Sequence, residues 1–402
     1  MTQIVAERPQ NVPADLVVDF DFYHIPGSDV DVHLAWNKIM SGPEIFWTPR
    51  NGGHWVVTGA EHVEHVQRNW EVFSHASVAI PPNSTPSYPL EVDPPFHTSL
   101  RSAISPLFAP DVLKDVEVRA REITRSLIDD FYADGRCEFS ADFGRKLPIQ
   151  IFLYLVDLPL EDAPMLLDLA EVRVRSSDEA ARNRVKAELV GYLGDKIRER
   201  RANPGRDFIS RVLTADIGGR QLDDFEAQNL LTTLMFGGLD TVASMLGFVL
   251  RFLANSPEHR RQLRDEPALI PKAVNELIRR HGIANTARVI ARDTDYGGVH
   301  FRQGDRVLAP NLTAGLDGRR YPEPLKVDFN RPNASSHAAF GNGPHRCPGA
   351  NLGRMEIKIV LEEWLARIPD YRIDPEEPTV FATGLVNGVL RLPLVWDVQA
   401  AA

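Results

Sequence analysis

Phe340-Gly341-Asn342-Gly343-Pro344-His345-Arg346-Cys347-Pro348-Gly349 sets one of only two cysteines in the chain among glycines and prolines. Gly341 and Gly343 permit the positive φ of a tight turn. Pro348 suits the first position of a helix, where a missing N–H costs nothing, and Gly349 lets a flat group approach the backbone. Cys347 therefore stands where the N–H groups and dipole of a following helix favour a thiolate, with Arg346 adding positive charge. A thiolate at a helix start, inside a glycine cradle, is what an electron-donating axial ligand to iron requires. The commoner fate of a free cysteine is inert burial.

Outward from this loop the pattern is mostly helical. A last helix is predicted from Pro348 to Ile368, preceded by irregular, Pro-rich chain from Gly315 to Pro344. Lys272 to His281 reads as a helix, and Ala287 to Val307 as short strands with Gly-Gly and Gly-Asp turns. Asp223 or Asp224 should cap a long helix running to about Ala254. Its stretch from Leu230 to Ala254 is nearly all apolar and long enough to cross a bilayer. Asp240 near its middle would be expensive there, and no clustered basic flank marks an inside end. A helix apolar all round suits the centre of a globular core, so no membrane is expected. Gly59 to Trp70, Pro94 to Phe108, Leu113 to Tyr132 and Ala163 to Arg200 in pieces are further helices. Phe46 to Thr58 reads as a hairpin around Asn51-Gly52-Gly53, and Val380 to Val395 as strands around Asn387-Gly388. The expectation is a mainly α protein with a minor β part, in one domain over residues 1–402.

Composition narrows the function classes. Asp plus Glu total 55 against 45 for Lys plus Arg, a formal net charge of −10. Nucleic-acid binding needs a basic footprint that such a chain lacks. Two cysteines form no disulfide framework and exclude a four-Cys zinc site. The first residues show neither the basic nor the apolar segment of a secretory signal. A cytoplasmic protein is expected. No Gly-x-Ser-x-Gly elbow, His-Glu-x-x-His helix, dinucleotide fingerprint or phosphate loop occurs.

Three further constellations carry chemistry. Glu276 and Arg279 share one helix face at i and i+3. Phe236-Gly237-Gly238-Leu239-Asp240-Thr241 breaks ordinary helix rules, because each glycine costs about 1 kcal/mol relative to alanine. Thr241 can bond back to the carbonyl of Gly237 and loosen the ladder there. Asp93-Pro94-Pro95-Phe96-His97-Thr98-Ser99-Leu100-Arg101 opens another helix with an imidazole and a guanidinium four residues apart.

The cysteine loop resembles the haem-binding loop of the cytochromes P-450, Phe-x-x-Gly-x-x-x-Cys-x-Gly, matched by Phe340, Gly343, Cys347 and Gly349. The resemblance runs from the Phe46 hairpin to Leu392-Pro393-Leu394-Val395-Trp396. It implies the cytochrome P-450 fold, with haem b (iron protoporphyrin IX) between the long central helix and the helix after the cysteine loop. Cys347 would be the metal ligand, while His97, Arg101, Arg288 and His345 match positions that hold the haem propionates. Thr286 stands where close relatives often carry an acid. Glu276 and Arg279 would meet Arg331 in a structural charge network on the haem's proximal side. Asp240 and Thr241 match the catalytic acid–alcohol pair that manages protons for oxygen activation.

Within the family, Phe236-Gly237-Gly238-Leu239-Asp240-Thr241-Val242, Ser256-Pro257-Glu258-His259-Arg260 and Asp328-Phe329-Asn330-Arg331 are similar to the bacterial camphor hydroxylases. These carry a tyrosine before the Asp-Pro-Pro turn that bonds the ketone. Here the loop from Ile80 to Val92 is read as shortened and Tyr88 lies nearer the turn, so camphor itself is not implied. Tyr88, Thr233, Phe236, Gly237, Leu385 and Val386 fall at substrate positions. The implied reaction inserts one atom of O₂ into an unactivated C–H bond of a small cyclic terpenoid, such as 1,8-cineole or a norisoprenoid. Electrons would come from NAD(P)H through a ferredoxin reductase and a [2Fe–2S] ferredoxin docking near Arg346 and Arg101. A haem-thiolate sensor would not need Asp240 and Thr241; a peroxide-driven peroxygenase would turn over without ferredoxin.

Overall fold

The computed structural model describes residues 5–83, 85–175 and 179–398. Asp31 caps α1 (Val32–Ile39), its carboxylate accepting from the His33 and Leu34 amides at 2.9 Å. The expected hairpin follows as β1 (Ile45–Thr48) and β2 (His54–Val57), antiparallel with Trp47 opposite Trp55. Asn51, Gly52 and Gly53 turn the chain with φ of 55°, 85° and 80°. A Cβ on Gly53 would lie 2.7 Å from the Trp47 ring, so only glycine fits. Next come α2 (Ala60–Arg68), β3 (Phe73–Ser74), α3 (Phe96–Ile104), α4 (Pro110–Tyr132), β4 (Arg136–Glu138) and α5 (Lys146–Leu155). The helical pieces expected over Ala163 to Arg200 are α6 (Ala163–Arg175) and α7 (Glu179–Ala202); residues 176–178 between them lie outside the described ones.

After α8 (Phe208–Thr214) comes the long central helix α9 (Asp224–Asn255). Asp223 caps it by a reciprocal capping box with Glu226, a pairing that satisfies two free donors at once. At about 1.5 Å per residue it runs roughly 48 Å through the molecule. The helix is unbroken at Gly237 and Gly238, so the expected loosening does not interrupt it. It is long and apolar enough to cross a membrane, yet 56% of its apolar stretch is buried inside the protein.

The remaining elements are α10 (Pro257–Asp265), α11 (Ile270–Arg280), β5 (Asn285–Ile290), β6 (Thr294–Tyr296), β7 (Val299–Phe301), β8 (Arg306–Pro310), α12 (Asn311–Gly315), α13 (Ala350–Arg367), β9 (Arg372–Ile373), β10 (Val380–Ala382), β11 (Gly388–Arg391) and β12 (Pro393–Val395). The main sheet has the order β1-β2-β8-β5-β3. Within it only β2 and β8 run parallel. One large apolar core is built mainly from helices, with Trp36, Phe139, Phe143, Leu250 and Trp364 at its centre. A smaller one, with Trp55, Val63, Val66, Phe73, Phe301 and Val307, lies under the sheet.

Several boundaries differ from expectation: α4 begins at Pro110, three residues before Leu113, and α3 gives way to a 3₁₀ turn after Ile104. The last helix begins at Ala350 with Gly349 as its N-cap, two residues beyond Pro348. Gly388 is no turn residue but the first of β11, paired with Ala382, and the reversal is made by residues 383–387. A Cβ on Gly388 would lie 2.8 Å from the Ser244 hydroxyl, so the glycine serves contact with α9.

Candidate active site

The cysteine loop is shaped by its backbone. The Cys347 N–H donates to the Phe340 carbonyl at 2.8 Å, and that of Gly341 to Ala338 at 2.8 Å. Gly341 and Gly343 adopt φ of 70° and 68°, the left-handed region read from the sequence. A Cβ on Gly343 would come within 2.8 Å of the Gln67 carbonyl, so α2 also requires glycine there. At Gly349 the nearest group to such a Cβ is the Phe108 ring at 3.5 Å, an ordinary contact. The protein's own packing does not demand that glycine.

Cys347 is accessible, yet burial pushes its thiol up, against the Gly349 N–H and the Arg101, Arg346 and Arg354 guanidiniums, which pull it down. Accessible surface and strong desolvation hold together for a sulfur at the floor of a recess. The helix start and Arg346 act in the predicted direction, and desolvation opposes them. A coordinating metal deprotonates such a thiol outright. Cys137, by contrast, is buried and its thiol is raised by desolvation and nearby carboxylates.

Around the recess stand the four groups expected to hold carboxylates. His97 is buried and its ring lies 3.8 Å from that of His345. Burial, then the Arg101 charge, lowers His97 to about 4. Arg288 is 4% exposed and burial lowers it to about 9, with Asp93 opposing. One of its amino groups donates to the Ala287 carbonyl at 2.6 Å and to Thr286 at 3.1 Å. Arg101 donates to the Arg346 carbonyl at 2.8 Å, tying α3 to the cysteine loop. The Nδ1 of His97, the Nε2 of His345 and the Nε of Arg288 are buried without a hydrogen-bond partner among the described residues.

Sequence reasoning missed a fifth member. His75 is buried and stacks on His345 with centroids 3.3 Å apart and planes within 7°. Its Nδ1 lies 3.2 Å from the Leu90 carbonyl, which fixes the hydrogen on that nitrogen. No local spacing signals it, because 270 residues separate His75 from His345.

On α9, the Thr241 hydroxyl donates to the Gly237 carbonyl at 2.7 Å, as read from the sequence. Burial raises the carboxyl of Asp240, with Arg145 opposing. Asp240 is nonetheless accessible and pairs with no cation among the described residues. Thr233 donates to the Asn229 carbonyl at 3.0 Å. Phe236 is partly buried and packs against the main core, while Gly237 is exposed. Tyr88 packs edge-on against Phe96 at 5.5 Å, and its amide donates to Asn229 at 2.7 Å. Leu385 and Val386 lie on the 383–387 reversal. The Asn285 backbone N–H donates to the Leu385 carbonyl at 2.8 Å, and the Asn285 side chain to Gly384 at 2.7 Å.

The structural network is assembled as expected. Glu276 accepts from Arg279 at 2.7 and 2.8 Å and from Arg331 at 3.0 Å. It takes the Asp328 N–H at 3.0 Å as well. Arg279 spends its remaining donors on the Gly315, Pro324 and Lys326 carbonyls. Buried charges survive only when paired and bonded this fully.

Residues 150–377 match the family described as Cytochrome P450. The "Probable cytochrome P450 127A1" of Sinorhizobium fredii is 33% identical over 401 residues, 96% of each chain. The "Erythromycin C-12 hydroxylase" of Saccharopolyspora erythraea is 31% identical, covering 92% of this chain and 96% of its own. The chain belongs to the cytochrome P450 family, a bacterial member that incorporates oxygen from O₂, carries haem b and takes electrons from redox partners. Among solved structures, CYP101J2 superposes with a TM-score of 0.90 at 40% identity, covering 98% of this chain and all of its own. CYP101C1 matches with 0.90 at 36%, covering 97% and 100%. The residues fit the group: a recessed thiol beneath a glycine, with Arg and His side chains around it whose inner nitrogens lack hydrogen-bond partners among the described residues.

Proposed function

We propose that this cytochrome P450 hydroxylates an unactivated C–H bond of a small cyclic terpenoid of camphor-like, 1,8-cineole-like or norisoprenoid size. Its electrons come from NAD(P)H through a ferredoxin reductase and a [2Fe–2S] ferredoxin, in the cytoplasm. The observation that carries the oxygenase reading is the recessed Cys347 sulfur, held by the Gly349 N–H and faced by three guanidiniums. Similarity to CYP101J2 and CYP101C1 supports the substrate scale and the ferredoxin. A single catalytic domain spans residues 1–402.

Cys347 is the iron ligand, and Gly349 leaves the flat macrocycle room beside the backbone. His97, Arg101, Arg288 and His345 hold the propionates, for which forked guanidinium donors are well shaped. When bound, haem supplies the redox-active iron at which O₂ is activated. Thr241 gives its one hydrogen to Gly237, so its oxygen presents lone pairs that orient a proton-bearing group. Asp240, whose raised carboxyl exchanges protons more readily near neutrality, relays them from solvent. Phe236, Gly237, Leu385 and Val386 shape an apolar pocket, with Thr233 and Tyr88 as polar contacts. Glu276, Arg279 and Arg331 brace the proximal side.

The test is spectroscopic. Reduced protein with CO should show the red-shifted Soret band of thiolate ligation. Cys347→Ala should lose it and Cys137→Ala keep it; a Cys347→Ala protein that retains the band ends the haem-thiolate reading.

A further inference from the structure

The segment between β3 and α3 is fastened on itself by one buried carboxylate. Glu91 is 3% exposed and accepts from the Val78 N–H at 3.0 Å, the Ser87 N–H at 2.9 Å and the Asn83 amide at 3.2 Å. Its near end is tied down by the Tyr23 hydroxyl, which donates to the Ile80 carbonyl at 2.9 Å. The far side has a different anchor. Asn229 of α9 accepts from the Tyr88 N–H at 2.7 Å and donates to the Pro86 carbonyl at 2.6 Å.

A carboxamide offers one donor and one acceptor in a plane, the same pair that a peptide offers to a neighbouring strand. Asn229 therefore completes Pro86 and Tyr88 as a strand partner would. Tyr88 is flanked by Pro86 two residues before and by Pro89 after. Proline has no N–H, so this amide is one of few donors by which the segment can be held. Pro86 also lines a cleft of about 490 Å³ with Ala76, Asn83, Glu91, Val92, Asp93 and Phe96. That is the size range of small-molecule sites. The cleft reaches Asp93, which lies 4.0 Å from His345.

Asn229 heads a ridge of α9 that continues at i+4 through Thr233, Gly237 and Thr241. Its own carbonyl takes the Thr233 hydroxyl, and Thr241 stands roughly 18 Å further along the axis. The segment is thus pinned to the same helix that carries the acid–alcohol pair.

We propose that Asn229 is a positioning residue for substrate recognition: its carboxamide pins the Pro86–Tyr88 segment to α9 and so sets the width of the passage to the haem. The inference rests on the proposed active site. It assigns Asn229 no contact with reacting atoms. Releasing the carboxamide widens the passage for bulky ligands and leaves small ones unaffected.

The experiment uses ferric, haem-loaded protein and two nitrogen ligands that shift the Soret band, imidazole and the bulkier 4-phenylimidazole, followed by stopped flow. In Asn229→Ala the association rate of 4-phenylimidazole should rise about tenfold, the scale of losing hydrogen bonds worth about one decade. That of imidazole should stay within about twofold, as expected where no bond is lost. Asn229→Asp keeps the acceptor for Tyr88 and loses the donor to Pro86, so it should fall between. Unchanged 4-phenylimidazole rates, or equal acceleration of both ligands, overturn the proposal. A second measurement needs no variant: in the wild-type protein the Tyr88 amide should exchange with deuterium at least about a hundredfold slower than in a free peptide. Exchange at the free-peptide rate overturns it as well. Loss of the thiolate CO band would overturn the haem-thiolate reading instead, and would leave the Tyr88 exchange rate as a separate result.

Discussion

The hydroxyl of Thr241 has a single hydrogen, and the carbonyl of Gly237 takes it at 2.7 Å. Thr241→Ala should therefore still fold, bind substrate and consume NADH, because no buried partner loses an obligatory donor. Its oxygen should leave largely as peroxide, with product per NADH falling about tenfold or more, the scale of a lost proton-directing group. Asp240→Asn should instead slow turnover and keep coupling, since it removes a proton carrier and leaves the hydroxyl in place. Product, peroxide and NADH measured together separate the two; full coupling in a haem-replete Thr241→Ala enzyme removes Thr241 from the reaction. These residues drew notice in sequence because the glycines beside them break helix rules locally, while the role given to the pair came from the resemblance. His75 and Asn229 did not, for their partners lie 270 and about 140 residues away and only the fold brings them together.

Among elements, α11 and the irregular chain after α12 are joined by a buried charge network as well as by apolar contact. Arg279 is fully buried, with its donors divided between Glu276 and three carbonyls. Arg279→Met fills much of the space but leaves the buried Glu276 carboxylate with Arg331 and the Asp328 N–H alone, and the Gly315 and Pro324 carbonyls without the Arg279 donor. The expected loss is about 3–5 kcal/mol, the usual result of breaking a buried pair, read as a lower urea midpoint and faster haem loss. A change below about 1 kcal/mol, the value of an exposed bridge, would return the pair to the solvated-surface reading. The Glu-x-x-Arg spacing showed the pair, but Arg331 was placed only by resemblance, since a partner 55 residues from Glu276 carries no periodic signal. α5 escaped notice for another reason. Ile149 to Leu155 is apolar but for Gln150 and Tyr154, too few polar positions to show the helical face they form with Lys146, and a buried helix and a buried strand look alike in so short a run. α9, in contrast, announced itself by length, apolarity and the Asp223 cap.

For the molecule as a whole, acid is the expected weakness. His54 is 1% exposed, and burial lowers it from 6.5 to about 4. Above pH 6.5 it is neutral in both folded and unfolded chains and contributes no slope. Between about 6.5 and 4 the unfolded chain takes up a proton that the folded one refuses, so stability falls as pH falls, by up to roughly 3 kcal/mol from this group. His54→Gln should have a shallower decline between pH 7 and pH 5 in urea unfolding. Parallel curves for the two proteins would show that His54 takes no part in it.

The molecule's two apolar cores meet at the cysteine loop: Ala338 packs into the one beneath the sheet, and Phe340, two residues on, against the helical one. Cys347, whose N–H is bonded to the Phe340 carbonyl, thus hangs from a seam between two apolar cores of unequal size. Partial opening follows the smaller buried area first, so the sheet side yields before the helices do. Loss of haem should then accompany melting of that side, so that the colour of the protein reports on strands remote in sequence from both Cys347 and α9.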